Sequence, residues 1–347
     1  MDNERLKTVY QVTIGIPVYN VERHIRQTMD SALAQTFQEI EFLICDDCGT
    51  DGSIDIIESY QQNHPRGKDI HIIRQPHNMG IGAARNRMIA EAQGRYFYSL
   101  DADDVIREDT IELLYSNAQK YQAEIVYGSR EHVIIDGDKK ETIQYPYPFK
   151  VFTEPDEYAN YVYNVGIQVQ NWNYLIDIDI LRRNHLQVTP VGHGYGEDFT
   201  FTVDLPTYIT RAVLLPDITY YYMIEKASFQ DRRYKVLSRQ QMDLSIDAID
   251  KKKHRVELKD KPYYAKRCSI LMMYDYSFAR RIVSQRKEIE PNYSDQEIRH
   301  IMWHPMSLGE ILCSQSARVK NLAAWALSKL PPKIAVGLIK LSLRLKD

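Results

Sequence analysis

The sequence is poor in cysteine, with four residues, Cys45, Cys48, Cys268 and Cys313, among 347. These cysteines are too few and too widely spaced for a disulfide framework, which excludes the small disulfide-stapled secreted folds. A chain of this length can bury a sizeable core without covalent cross-links. The cysteine content therefore predicts a reducing, cytoplasmic environment.

Long apolar runs and an excess of one charge are also missing. No uninterrupted apolar segment is long enough to cross a bilayer, and the charged start MDNERLKTVYQV lacks the apolar core of a secretory signal. The formal net charge of −3 at pH 7 gives no global field that would attract nucleic acid. We therefore predict a globular chain with no signal peptide, no membrane span and no nucleic-acid partner.

The sequence contains no G-x-x-x-x-G-K-[ST], which excludes a P-loop nucleotide site. The tract NMGIGAARN has G-x-G spacing, but it lacks the third glycine and the downstream acid of a dinucleotide fingerprint.

The first part of the chain alternates short β-rich apolar segments with helical ones. The predicted strands cover 12–18, 40–44, 70–75, 95–100 and 123–129, and the predicted helices cover 21–37, 53–62, 79–93 and 108–120. The third of these helices is expected to stop at Gly94 in the C′ position. This alternation predicts an α/β unit with a mainly parallel sheet, which binds ligands beyond the carboxyl ends of its strands.

The pattern changes after residue 130. A hairpin is predicted around Asp136-Gly137, followed by a helix at 154–164, a strand at 170–176, a helix from 197 and a strand at 212–223. From about residue 230 the chain is charged and helical. We therefore divide it into a catalytic domain, 1–229, and a C-terminal helical region, 230–347.

Two predicted strands end in acids: Asp46-Asp47 after the second, and Asp101 and Asp103 after the fourth. Turn chemistry alone could explain either pair, but it would have to be invoked twice. Carboxylates one residue apart on an extended segment can hold Mn²⁺ or Mg²⁺ against a diphosphate. The surrounding C-x-x-C is a weak zinc or redox candidate, because acids disfavour a thiolate and no second ligand pair exists.

Several linked stretches carry a resemblance to a known family. TIGIPVYNVERHIRQTMDSALAQTFQEIEFLICDDCGTDGSIDII, HNMGIGAARNRMIAEAQGRYFYSLDADD and GYGEDFTF follow one another in the order found in family 2 glycosyltransferases of the GT-A fold. The strong match spans about residues 10–110, with weaker landmarks to about 230. The resemblance implies a GT-A fold and a metal-dependent, inverting transferase that uses a nucleotide-diphosphate sugar.

By this resemblance, the nucleoside pocket after the first strand is lined by Pro17, Tyr19 and Glu22. Asp47 is expected to accept a hydrogen bond from the base, and Asp46 to shape the loop.

The resemblance extends to the phosphates and the acceptor. Arg85 is expected to reach toward the base or phosphates, Asp101 to face the ribose and the metal, and Asp103 to ligate the metal. Asp198 is implied as the general base on the acceptor hydroxyl, with Glu197 beside it.

Two of the sequence's departures from the family pattern bear on the site. The family's DDGSTDGS has a glycine and a serine where Cys48 and Gly49 stand, which bears on the loop geometry. The segment YYYMIEKASFQ lacks the usual phosphate-binding Arg or His, so the diphosphate contact is expected either to be missing or to come from Lys226, Arg232 or Arg233.

The last 32 residues contain one acid, Asp347. On a helical wheel Lys333, Lys340 and Arg344 form a narrow basic stripe, and apolar residues cover the rest. This pattern is typical of an interfacial membrane helix. The alternative is a terminal helix docked on its own domain or on a second copy of the chain.

The favoured function is transfer of a sugar, expected from a UDP-sugar, to a hydroxyl of a glycan or lipid-linked acceptor in surface polysaccharide synthesis. The expected location is the cytoplasm, with contact to the inner face of the plasma membrane. A sugar-nucleotide pyrophosphorylase would need a basic glycine-rich loop, and PVYNVERH offers none. A non-catalytic sugar- or nucleotide-binding module is the other alternative. Tyrosines cluster at 145–163 and 220–222, typical either of sugar-contacting surfaces or of half-buried strands.

Overall fold

The computed structural model describes residues 10–166, 170–189, 197–226, 238–289, 291–313 and 318–344. The chain forms two compact units. The first comprises Met1–Tyr158 and Gln168–Tyr234, and the second comprises Ala159–Ile167 and Lys235–Asp347. The sequence-based division had placed the segment Ala159–Ile167 in the first domain.

The first unit is built on one mixed sheet. Its strands are β1 Val12–Val18, β2 Ile40–Asp46, β3 Ile70–Arg74, β4 Tyr96–Ser99, β5 Val105–Ile106, β6 Ile125–Asp136, β7 Lys139–Tyr145, β8 Lys150–Phe152, β9 Tyr174–Asp177 and β10 Ala212–Glu225. Their order is β3-β2-β1-β4-β9-β6-β10-β5, with β7 paired to β6 and β8 paired to β10. The sheet is parallel from β3 through β4 and again between β6 and β10, while β9 runs antiparallel between these two parts. The predicted α/β architecture and the hairpin at residue 137 are confirmed.

Helices cover this sheet as the apolar spacing predicted. They are α1 Ile25–Leu33, α2 Ser53–Asn63, α3 Ile81–Glu91, α4 Thr110–Tyr121, α6 Ile178–Arg183 and α7 Glu197–Thr202, while α5 Glu157–Val165 begins in the first unit and continues into the second. In α1 the four-residue spacing buries Ile25, Met29 and Leu33. β1 is buried along its whole length, and apart from Thr13 its residues are nonpolar rather than alternating with polar ones.

The prediction that Gly94 caps α3 was wrong. The helix ends at Glu91 and its C-cap is Ala92. A Cβ at Gly94 would lie 2.5 Å from the backbone nitrogen of Thr13. Glycine is therefore required there by the close approach of β1 rather than by the helix end.

The described residues of the second unit form helices and no strands. These are α8 Arg239–Lys253, α9 Tyr264–Gln285, α10 Asp295–Ile301, α11 Leu308–Cys313, α12 Arg318–Lys329 and α13 Pro332–Arg344. Ser238 and Ser294 start α8 and α10 with capping boxes. Cys268, Met272 and Ile311 contribute to the core of this unit. Within the described ranges, no helix combines the length and apolarity needed to cross a membrane.

Candidate active site

The carboxyl ends of β2, β1 and β4 lie side by side, so the loops that follow them meet at one edge of the sheet. The backbone N–H of Thr50 donates to Asn20 Oδ1 at 2.7 Å, and the N–H of Gly52 donates to Glu22 Oε2 at 3.1 Å. Glu22 therefore joins the first two loops. Tyr19 is exposed at the start of this edge, and Pro17 is buried opposite Cys45 in β2.

Asp46 and Asp47 are both buried and both organise loops. Asp46 Oδ1 accepts from the N–H of Cys48 at 2.9 Å, which agrees with its expected role in shaping the turn. The two oxygens of Asp47 accept from the N–H groups of Met79 and Gly80 at 2.7 and 2.8 Å. These bonds hold the loop before α3 against the loop after β2. Each carboxylate oxygen of Asp47 has a further lone pair that can accept another hydrogen bond. The hydrogen bond from a nucleoside base to Asp47 stays a prediction.

The cysteines of this loop are free thiols. Burial raises the pKa of Cys45 to about 12, and its acidic neighbours Asp47 and Asp46 add to that shift. Cys48 has a left-handed backbone with φ of 61°, and its Sγ donates to the carbonyl oxygen of Gln75 at 3.1 Å. The family pattern DDGSTDGS has a glycine at the position of Cys48, and glycine adopts this left-handed backbone conformation readily.

The acids after β4 point in different directions. Asp104 is fully buried, where its Oδ2 accepts from the Tyr220 hydroxyl at 2.6 Å and its Oδ1 accepts from the N–H of Met223 at 2.8 Å. Burial and the two neighbouring acids raise the pKa of Asp104 well above its usual range. Asp104 thus ties the acid loop to β10. Asp101 and Asp103 remain half-buried on the same loop.

Arg85 connects this loop to the candidate base. Its side chain is buried, with Nη2 donating to Asp101 Oδ1 at 2.7 Å and Nη1 donating to Asp198 Oδ1 at 3.1 Å. Arg85 had been expected to reach the base or phosphates. Its described contacts are with two carboxylates instead, so a direct contact with the nucleotide stays a prediction.

Asp198 stands at the first turn of α7. Its Oδ1 also accepts from Asn171 Nδ2 at 2.8 Å, and no donor among the described residues bonds to its Oδ2. Desolvation raises the pKa of Asp198, and the charge of Arg85 and the hydrogen bonds from Arg85 and Asn171 oppose that rise. The carboxylate is held by one oxygen and can accept a hydrogen bond through the other.

Glu197 has the opposite environment, because its side chain is buried. Burial raises its pKa to about 7, Arg85 acts to lower it, and Asp198 and Asp101 raise it further. Oε2 finds no hydrogen-bond partner within the described part of the chain. Glu197 is thus a neutral or half-ionised acid behind the site rather than an open carboxylate in it.

The sequence did not point to three residues that position these acids. Asn171 and Tyr220 were assigned to ordinary strand segments, yet their side chains bond to Asp198 and Asp104. Asp104 had no assigned role. Lys226, a proposed phosphate ligand, forms an exposed ion pair with Asp136 at 2.8 Å. Arg232, Arg233 and the GYG that precedes Glu197 lie outside the described residues.

The described residues contain no group of three or more His, Cys, Asp or Glu side chains that could hold a metal alone. Asp101 and Asp103 supply carboxylate oxygens from one loop, which is the donor type that Mn²⁺ and Mg²⁺ prefer. Mg²⁺-type sites commonly use one or two carboxylates and take their remaining ligands from water and substrate phosphates. The residues present fit a metal that arrives with a diphosphate.

Comparison with known proteins places this site in context. Residues 13–173 match the family described as Glycosyl transferase family 2. Chondroitin synthase of Escherichia coli is 38% identical over 120 residues, which are 35% of this chain and 17% of that enzyme. The chain spans 16% and 17% of the length of the first two curated relatives that it matches.

Two of the solved structures that resemble this chain cover most of it. Residues 1–349 of S. aureus TarS in complex with UDP-GlcNAc superpose with a TM-score of 0.63 at 17% identity, covering 92% of this chain and 90% of that one. A mannosyltransferase from Pyrobaculum calidifontis, solved with GDP-Man and Mn²⁺, gives a TM-score of 0.50 at 14% identity and covers 96% of this chain and 80% of that one. At these identities the likeness concerns the fold, and it confirms the predicted GT-A architecture.

Proposed function

Since residues 13–173 of this chain belong to glycosyl transferase family 2, we propose that the protein transfers a sugar from a nucleotide-diphosphate donor to a hydroxyl of a glycan or lipid-linked acceptor. The observation that carries this proposal is the bridge formed by Arg85. One buried guanidinium holds Asp101, from the loop after β4, and Asp198, from α7, although 113 residues separate Arg85 from Asp198. The carboxylates that we assign to the donor and to the acceptor thereby meet at one place.

On the donor side, Asp101 and Asp103 would hold Mn²⁺ or Mg²⁺. The metal would neutralise the charge that develops on the departing diphosphate. The chain itself keeps the acid loop in place, through Asp104 and through the Thr28 hydroxyl, which donates to the carbonyl oxygen of Ala102 at 3.0 Å. Preorganised groups of this kind need no rearrangement during reaction.

For the nucleoside we propose the pocket formed by Pro17, Tyr19, Glu22, Asp46 and Asp47. Tyr19 offers an exposed ring at its mouth, and the two aspartates fix the loops that form its walls. TarS has been solved with UDP-GlcNAc, which supports UDP as the nucleotide to test first.

On the acceptor side, Asp198 is proposed as the general base of an inverting transfer. Arg85 and Asn171 both donate to Oδ1, which fixes the carboxylate and leaves Oδ2 for the acceptor hydroxyl. A base in that position would take the hydroxyl proton while the oxygen attacks the anomeric carbon from the side opposite the diphosphate.

The proposed setting is surface polysaccharide synthesis, at the cytoplasmic face of the plasma membrane. It is supported by the chondroitin synthase relative and by α13, which presents apolar side chains and lysines on its exposed side. A second copy of the chain is the other partner that this exposed side could accept.

The donor half of the proposal is tested by UDP binding with and without Mn²⁺, measured by calorimetry on wild type, Asp103→Ala and the control Asp55→Ala. Asp55 is an exposed acid in the first turn of α2. We expect Mn²⁺ to strengthen UDP binding to the wild type and to the control. In Asp103→Ala the increase in UDP affinity caused by Mn²⁺ should be smaller by about tenfold or more, because one anionic ligand of the metal is missing. Unchanged affinity and metal dependence in Asp103→Ala would contradict the assignment.

A further inference from the structure

A continuous series of rings lies on β6, β7, β10 and the loop before β9. The Trp172 ring stacks on Tyr220 at 4.3 Å and on Tyr222 at 5.3 Å between centroids, with interplanar angles of 14° and 17°. His132 lies 5.2 Å from Tyr222 and 4.4 Å from Tyr145. We call these five residues the aromatic face.

One end of the aromatic face lies beside the loop after β4 and beside Asn171, the residue that bonds to Asp198. The hydroxyl of Tyr220 donates to Asp104 and lies 3.4 Å from the backbone nitrogen of Asp101, which donates to it. Trp172 directly follows Asn171, whose side chain donates to Asp198. The rings therefore begin where the donor-side loop and the candidate base are held.

The other end opens to solvent. Tyr220 is 0% exposed and Trp172 is 7% exposed, whereas Tyr145 reaches 38%. The register places His132 opposite Tyr222 on β10 and opposite Ile143 on β7, and Ile143 is itself exposed. The rings thus run from the hydrophobic core, which contains Tyr220 and Trp172, to the surface at Tyr145.

Polar groups border the exposed end. The guanidinium of Arg130 lies 4.8 Å from the centroid of the Tyr145 ring, and Arg130 Nε donates to His132 Nε2 at 3.4 Å. Burial and the Arg130 charge lower the pKa of His132, so the imidazole is neutral at pH 7. Aromatic surface combined with a few fixed donors and acceptors is the composition expected of a small-molecule site.

We propose that the aromatic face is the acceptor subsite and that it binds a pyranose saccharide. The apolar C–H faces of sugar rings would lie against Tyr145, His132 and Tyr222, and hydroxyl groups would bond to Arg130 and His132. This assignment rests on the proposed function, and it extends that function by naming the acceptor as an oligosaccharide that lies across the exposed rings and presents its terminal hydroxyl to Asp198. The exposed rings offer a surface for stacking, and Arg130 and His132 offer hydrogen-bonding groups beside it.

The test uses cellotetraose, chitotetraose and maltotetraose as probes, with affinity measured by saturation-transfer NMR in the presence of UDP and Mn²⁺. At least one of them should bind the wild-type protein. Tyr145→Ala and His132→Ala should each weaken that binding about fivefold or more, the effect of one lost ring contact of about 1 kcal/mol. The control is Phe149→Ala, an exposed ring that contacts Tyr121 and not the aromatic face. The affinity for UDP should be the same in all four proteins.

Two results would overturn the inference: none of the three tetrasaccharides binds the wild type, or the two variants bind as tightly as the control. If UDP binds with Mn²⁺ and the saccharides do not, the acceptor subsite is wrong while the transferase proposal stands. If a saccharide binds through these rings and UDP does not bind at all, the saccharide site stands and the assignment of UDP as the donor nucleotide falls. A wild-type dimer that Tyr145→Ala dissociates in sedimentation, without saccharide binding, would assign the face to self-association instead.

Discussion

Arg85 is the residue on which the site depends most. Burial lowers its pKa, but Asp101 and Asp198 outweigh that effect, so the net pKa is raised and the guanidinium stays charged. A buried cation that loses one partner carries an uncompensated charge, at a cost of about 3–5 kcal/mol. Variants of the acids must therefore keep the hydrogen bonds to Arg85 if they are to report on chemistry rather than on folding.

Asp198→Asn meets that condition and should separate binding from turnover. The Asn oxygen can still accept from Arg85 and Asn171, while the amide nitrogen replaces Oδ2 and cannot take a proton. We expect unchanged UDP affinity by calorimetry and turnover reduced about a hundredfold or more, the scale of lost general-base catalysis. Turnover at the wild-type level, or a product with retained anomeric configuration, would contradict the assignment.

Glu197→Gln is the matched control for Asp198→Asn, and it should act on stability instead of rate. The folded protein holds a proton on Glu197 up to about pH 7, whereas the unfolded chain releases it near 4.5. The native state therefore binds more protons in this window, and the wild type loses stability as pH rises, by up to about 3 kcal/mol. Gln does not titrate, so urea unfolding should show that the free energy of unfolding of the variant rises relative to that of the wild type between pH 5 and 8. Loss of turnover in Glu197→Gln alone would make Glu197 the base.

Acids at the strand ends could be predicted from sequence because the pattern is local. Asp46 ends β2 and Asp47 follows it, and Asp101 and Asp103 follow β4, within a few residues of an apolar run. Their partners could not be predicted, because each contact joins distant segments. Asn171, for example, reaches Asp198 only because β9 inserts antiparallel between β4 and β6.

Among the elements, α13 is unusual because it has two apolar sides. Ala335, Val336 and Ile339 are buried on one side. On the other side Ile334, Leu338 and Leu341 are 53%, 44% and 54% exposed. The helical wheel predicted a single wide apolar face and left docking and membrane contact as alternatives. The structure shows that one side docks while an apolar stripe remains exposed.

That exposed stripe predicts binding to anionic bilayers. Lys333 and Lys340 lie beside the stripe, and the sequence from 318 to 344 has no acid to oppose an anionic surface. Replacing Ile334, Leu338 and Leu341 together by Ser should abolish flotation with anionic liposomes. Lys333→Gln with Lys340→Gln should weaken it by about 1 kcal/mol for each charge.

The control for the α13 variants is Leu244→Ser, because Leu244 is similarly exposed on α8. Flotation of the triple variant at the wild-type level would exclude the stripe as the membrane contact. A concentration-dependent dimer that only the triple variant loses would identify a second copy of the chain as the partner.

At the scale of the whole molecule, the chain crosses between its two units more often than the sequence suggested. A change in composition near residue 230 was visible, because strand patterns stop there. The assignment of residues 159–167 to the second unit could not be seen in the sequence, because α5 has an ordinary amphipathic pattern. Its Tyr163 ring stacks on Tyr263 at 5.3 Å, and Ala159 and Ile270 complete the cluster.

This crossing predicts that the second unit cannot be removed cleanly. A chain ending at residue 234 would lack Tyr263 and Ile270, so Tyr163 would lose its cover, at about 1.5–3 kcal/mol for a large buried side chain. We expect the shortened chain to bind a hydrophobic dye, and Tyr163→Ser to reduce that binding.

In the full-length protein the Tyr163→Ser substitution should lower the free energy of unfolding by about 2–4 kcal/mol, because it empties a buried ring site. Asn160→Ser, at an exposed position on the same helix, should have little effect in either chain. Stability of both chains is measured by urea unfolding, and the cost of Tyr163→Ser should depend on the presence of residues 235–347. Equal effects of Tyr163→Ser on both chains would mean that α5 is held by the first unit alone.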